Sequence, residues 1–475
     1  MEQRKTLERS IRFRDYVGLG LGCIIGVGWV IVAGDWLNRG GPLGAILAFI
    51  IGGLLLIAVG KCYAELTAAI PVAGGELAFS YKAFGSTIAF MTAWLLALDY
   101  ISVCPFETVA MGWLFEYIVP GAETSPLYSV GAFDITLTSI LPGFIIGLLV
   151  IAMNYKGVKI TARFQTILVY AMFVCVAVFV VVAFLKGSFA NMLPLFSEKG
   201  TFHSVPASIL AVLPIVPWFM VGFDTIPQAA EESGKKMDPK DLGKAVILSI
   251  IAGFMFYVII IMAFSVAMPW KEATQFELPT AEVFHAAFGY DWAAKLVLIA
   301  AFLGLISTLN GIFLASTRLL FSAGRGGLLP RWFGEIHEKH HTPKNAIIFI
   351  GVITLIGPFV GKASLIPIVN VGSVGFMTAA MISCLSSIRL RKKMPDMKRP
   401  YKVRHRATLT IGALVSLIFV LLLIIPGSPS QIKWPLEYII IGGWAVLGYI
   451  GYRTRRKKED ITKAERDYQI LGEYK

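Results

Sequence analysis

Three acidic side chains stand in stretches of sequence that are otherwise apolar. Asp99 and Glu107 occupy "ALDYISVCPFETVAM", and Asp224 lies in "WFMVGFDTIPQ". A carboxyl group in a long hydrophobic run is costly to bury, so it marks proton exchange, attraction of a cation, or a fixed hydrogen bond. Asp99 and Glu107 are eight residues apart and fall on roughly one side of a helix. Two other segments offer backbone chemistry. One carries Gly18, Gly20, Gly22, Gly26 and Gly28, and the other carries Pro214, Pro217, Gly222 and Pro227. A helix interrupted there frees N–H groups on one side and carbonyls on the other, with opposite partial charges, which suits an anion and a cation respectively. Gly18, Gly22 and Gly26 at spacing four also fit tight helix packing, and the two uses are compatible.

The remaining candidates are weaker. Ser307 and Thr308 could supply oxygen ligands to sodium or bond their own helix backbone. Lys61 and Glu65, four apart, read as a helical ion pair. The five cysteines have no CxxC spacing, and the six histidines fall in predicted loops or at span edges. No nucleophile–His–acid set and no metal-binding pair emerges, so neither an enzyme, a resident metal nor a cofactor is expected.

The elements that must position these groups are membrane spans. The chain has 475 residues, is 56% hydrophobic and has a mean hydropathy of +0.71. Twelve apolar stretches long enough to cross a bilayer are predicted at about 13–36, 43–70, 84–119, 135–154, 163–185, 206–229, 242–268, 281–322, 346–360, 365–390, 409–425 and 436–452. The third and eighth are too long for simple spans and must tilt or continue outside the hydrocarbon. No cleavable signal peptide is expected. The net charge of +13 comes from Lys and Arg in the two tails and the even-numbered loops, densest from Arg389 to Arg406 and from Arg453 to Lys458. That asymmetry predicts a multi-pass protein of the cell membrane with both termini cytoplasmic, touching anionic lipid and not nucleic acid. The Gly-broken first span and the Pro-broken sixth are five spans apart, the pattern of an inverted repeat with a site at the midplane.

Four segments in order resemble the amino acid–polyamine–organocation superfamily: "GCIIGVG", "CYAELTAAIPVAGGELAFSYKAFG", "WFMVGFDTIPQAAEE" and "LNGIFLASTRLLFSAGRGGLLPRWFGEIH". The resemblance runs from about residue 10 to about residue 345; the last two spans match in hydropathy only. It implies an all-α integral membrane protein with a five-plus-five inverted-repeat core at 13–390, divided into 13–205 and 206–390. A basic loop at 391–408, two added helices at 409–452 and tails at 1–12 and 453–475 complete the expected plan. It also implies a secondary transporter of amino acids or related amines. The substrate would be held by Cys23, Ile24, Gly26, Val27 and Gly28 of the first break and Trp218, Phe219, Val221 and Gly222 of the sixth. Asp224 lies where the family often has an acid, whereas Asp99 and Glu107 are less expected from the resemblance; all three are candidates for proton coupling or cation recognition, and Ser307 with Thr308 for a sodium site.

Two departures bear on the substrate. Val27 stands where relatives usually have a hydroxyl residue, which favours a carboxylate-free amine such as ethanolamine or a polyamine as the alternative. Trp29 replaces a smaller aliphatic residue and either lines the pocket or packs outward. The fifth span lacks the mid-span lysine of some proton-coupled relatives, so H+, Na+ and plain exchange all stay open. A transporter-like nutrient sensor is a further alternative, and the sequence leaves the oligomeric state open.

Overall fold

The computed structural model describes residues 4–119, 124–130, 133–197, 205–276, 278–289, 291–428, 431–457 and 461–474. Lys458, noted above, and His203, one of the six histidines, lie outside them. The helices in order are α1 (Phe13–Ile24), α2 (Gly28–Ile31), α3 (Ala33–Ala69), α4 (Gly75–Phe84), α5 (Ser86–Ile118), α6 (Leu137–Lys156) and α7 (Val158–Lys186). Then follow α8 (Val205–Val212), α9 (Val216–Phe219), α10 (Thr225–Gln228), α11 (Pro239–Ala267), α12 (Trp270–Ala273), α13 (Pro279–Phe288) and α14 (Asp291–Arg325). The chain ends with α15 (Lys344–Val360), α16 (Lys362–Lys393), α17 (Arg406–Ile424), α18 (Leu436–Lys457) and α19 (Lys463–Leu471).

Among the described residues, nine helices are long and apolar enough to cross a membrane, counting α1 and α2 together as Phe13–Ile31. Val205–Phe219 and Lys344–Val360 are shorter apolar helices. The expected number of twelve therefore exceeds the nine that meet both requirements. Side chains such as Ile145, Ile167, Val174, Leu185, Ile418 and Leu447 point outward. A belt of this kind needs hydrocarbon rather than water around it.

Local chemistry explains the boundaries. Gly41 at φ 69°, followed by Pro42, turns the chain inside α3, so the first span gives way to the second without a loop. The expected eighth span is corrected: Gly289, left-handed at φ 67°, ends α13, and the long helix starts at Asp291. The fold is also not purely helical. A small antiparallel hairpin, β1 (Tyr128–Val130) with β2 (Phe133–Ile135), precedes α6. A third correction concerns Glu65. Its carboxylate binds the guanidinium of Arg391 and lies 3.4 Å from Arg399, rather than pairing with Lys61.

In the core, α3 packs on α11, α5 lies against α14 and α16, and α1 fits between α7, α11 and α14. The end that carries both termini is closed by buried ion pairs. Arg318 grips Glu232 through two hydrogen bonds of 2.9 and 2.8 Å, while Arg325 and Arg4 both hold Glu231 at 2.8 Å. The N-terminal tail adds a parallel bridge from Ile11 to Ser233, and Tyr16 donates to the carbonyl of Ala229 at 2.8 Å.

Candidate functional site

The site is built where two helices fail. Between α1 and α2, Ile25 leaves helical geometry at φ −98°, ψ 78°, and the amides of Gly26 and Val27 take no backbone partner among the described residues. The freed carbonyls are partly occupied: Tyr257 donates to Ile24 at 2.8 Å and Thr308 to Gly22 at 3.2 Å. In the other segment, α9 ends at Phe219 and α10 begins at Thr225. Gly222 sits between them at φ 134°, a conformation that side-chain-bearing residues rarely adopt. A Cβ there would lie 2.6 Å from both Cys23 Cβ and the Ile24 amide nitrogen, so the two breaks press backbone to backbone.

A cavity of about 410 Å³ opens beside this contact. Its wall takes Cys23, Ile24, Gly26, Val27 and Gly28 from the first break and Trp218, Phe219 and Val221 from the sixth. Of the expected substrate residues, Gly222 alone is absent from that wall; its role is the close approach. Ile31 and Val32 of the first segment and Trp113 near the end of α5 carry the cavity toward the end opposite the termini. Asp99 and Glu107 of α5 both line it, at 1% and 7% exposure. Asp99 Oδ2 and Glu107 Oε2 are buried without a hydrogen-bond partner, and no Lys, Arg or His lines the wall among the described residues. Unpaired carboxylate oxygens in such a space call for a proton or a cationic ligand.

Other candidates are placed differently. Asp224 is fully buried but outside the cavity wall. It accepts from Tyr100 Oη at 2.5 Å and from the Gly222 amide at 2.9 Å, which ties the sixth-segment break to α5. Ser307 and Thr308 both face the first segment, Ser307 beside Gly22 and Thr308 beside Gly26. Thr308 reaches the cavity, whereas Ser307 receives Gln165 Nε2 at 2.9 Å. Gln165 in turn accepts from Asn310 Nδ2 at 2.8 Å, and Asn154 donates to Asn310 Oδ1 at 3.3 Å. Trp29 packs away from the cavity, edge-on to Phe179 and Phe256 at 6.3 and 5.9 Å.

Sequence reasoning missed Tyr100, Tyr257, Gln165 and Asn370. Asn370 and Tyr257 line the cavity, and Gln165 occupies the Ser307 hydroxyl. The one available signal was a buried amide or phenol in an apolar span, which by itself names no partner.

Comparison with known proteins fits this geometry. The model of the amino acid permease family matches residues 11–446. The chain belongs to the amino acid permease family. As a permease it falls within the amino acid–polyamine–organocation superfamily, whose members here are transporters rather than enzymes. It is 29% identical to the branched-chain amino acid permease BcaP of Bacillus subtilis over 84% of each chain. It is 28% identical to the methylthioribose transporter of the same organism, over 96% of this chain and 95% of the relative. The cationic amino acid transporter 6, chloroplastic, of Arabidopsis thaliana is 26% identical over 90% of this chain and 73% of its own. The permease is therefore a multi-pass membrane protein, and small-molecule transport of the amino acid class is its family activity.

Proposed function

We propose that this permease is a secondary active transporter that moves an amino acid or related amine across the cytoplasmic membrane by alternating access. The plan carried forward is twelve spans, a five-plus-five inverted core with two added helices, and both termini in the cytoplasm. The observation that carries it is the cavity of about 410 Å³ bounded by both helix breaks. A carboxylate would be held by the free amides of Gly26 and Val27, and an ammonium by break carbonyls together with Asp99 and Glu107. With the termini inside, the cavity leads outward and the Arg318–Glu232 and Arg325–Glu231–Arg4 pairs close the inner side, which is one of the two states alternating access requires.

One observation favours a carboxylate-free amine as the second reading. Val27 offers no hydroxyl to a substrate carboxylate, while two carboxylates with unpartnered oxygens line the same space. Purified permease screened against amino acids and amines should melt at a higher temperature with true ligands, because they bind only the folded state. Reconstituted in liposomes, it should show saturable uptake and counterflow of the same compounds. Unrestricted conductance without counterflow would instead identify a channel.

A further inference from the structure

Another buried acid stands apart from the cavity, toward the end that carries both termini. Glu76 lies in the first turn of α4, between the second and third spans, and is fully buried. Gly74 and Gly75, at φ 90° and 33°, seat the start of α4 against the inner part of the broken sixth segment. The Gly74 amide donates to the Gln228 carbonyl at 3.3 Å, and a Cβ at Gly75 would fall 2.9 Å from Pro227 Cβ. Glu76 Oε2 receives Gln228 Nε2 at 2.5 Å. Its other oxygen, Oε1, makes no hydrogen bond of good geometry, nor does Gln228 Oε1, and the hydroxyl of fully buried Tyr63 faces Glu76 from α3 within reach of it.

Among the described residues, no free cation offsets this carboxyl. The titratable groups that face it are Asp224 from the sixth segment, Tyr63 from α3 and Tyr100 from α5. On two other elements packed against α4, Arg318 of α14 is gripped by Glu232 and Asp467 of α19 accepts from Tyr81 at 2.6 Å. On α16, Cys384 faces Tyr63, and Lys82 of α4 itself bonds the Tyr474 carbonyl. An ionised Glu76 here would be an uncompensated buried charge, whereas a protonated one is neutral and its O–H can donate to an unpartnered acceptor. Burial, and next the Asp224 carboxylate, push its titration well above the usual carboxylate range.

We propose that Glu76 is a proton-binding site that links closure of the inner side to pH. The proton is held while α4 and α10 touch. When they part and water enters, the carboxyl O–H breaks, the electron pair stays on the carboxylate, and the proton passes to cytoplasmic water. Asp224 faces both Asp99 at the cavity and Glu76, so it stands on the side-chain route from one to the other. The sign is fixed by linkage: the group titrates higher in the closed form, so acid favours closure and rising pH favours opening.

This inference rests on the transporter reading, and the test separates the two. Liposomes bearing the full chain are assayed with whichever of lysine, leucine or putrescine exchanges fastest. Wild-type uptake should rise several-fold as external pH falls from about 7.5 to about 5.5. Glu76→Gln, neutral at every pH, should keep counterflow and lose most of that rise; a wild-type pH profile in the variant overturns the proposal. Should Glu76→Gln fail to assemble, Ala230→Cys decides, since this residue is 1% exposed at the closed end. Its maleimide labelling, normalised at each pH to that of the denatured protein so that thiol ionisation cancels, should fall several-fold between about pH 8 and about pH 5.5, and a normalised labelling independent of pH overturns the proposal. Absence of counterflow in the wild type would overturn the transporter reading, and this inference with it.

Discussion

At the scale of single residues, chemistry separates acids that face the cavity from the acid that braces it. Asp99 and Glu107 keep buried, unpartnered oxygens in the cavity wall, so their removal should act on substrate charge. Glu107→Gln is expected to weaken competition by cationic amines about tenfold, about 1.4 kcal/mol, and to leave neutral competitors unchanged. Equal loss for both classes would exclude an electrostatic role. Asp224→Asn should flatten the pH profile of uptake; an unaltered profile leaves Asp224 as the brace between Tyr100 and Gly222 only. Gly222→Ala imposes a strained φ costing about 1–3 kcal/mol and a clash against Cys23 besides, so it should lower the melting temperature and abolish uptake.

At the scale of elements, the inner closure is a set of helix ends tied by charge. Glu231 is buried, which alone would raise its titration, yet Arg325 and then Arg4 hold it down at about 2. A carboxylate depressed in the folded state contributes stability that is present above its unfolded value and lost as pH falls toward the folded one. Melting temperature should therefore be insensitive to this group above about pH 5 and fall below about pH 4.5. Glu232→Gln leaves Arg318 buried without its partner and is expected to cost about 3–5 kcal/mol, measurable by thermal denaturation. The C-terminal helix α19 belongs to the same closure. Arg466 donates to Gly326 at 3.0 Å and to Ser86 at 3.2 Å, and the Gln469 carbonyl accepts from Arg4 at 3.3 Å. Deleting 461–474 should lower the melting temperature and increase labelling of Ala230→Cys, because Arg4 loses one of its anchors.

At the scale of the whole molecule, binding and opening are two views of one equilibrium. A ligand at a hundred times its dissociation constant stabilises the folded permease by about 2.7 kcal/mol, so the thermal-shift screen can resolve it. The sequence by itself determined that the chain is built from membrane-spanning helices and where two of them break, because apolar length and the backbone limits of glycine and proline act within a few residues; it did not fix the number of spans, twelve expected against nine qualifying helices among the described residues. It also named Asp99, Glu107, Asp224 and Glu65 as acids to be explained, but not Glu76, Glu231 or Glu232. Only the tertiary structure decided their partners: Arg391 for Glu65, Tyr100 for Asp224, Gln165 for Ser307, and open cavity for Asp99 and Glu107. These pairings join helices far apart in the chain, and their choice depends on how the helices pack and rotate, which no local pattern of residues encodes.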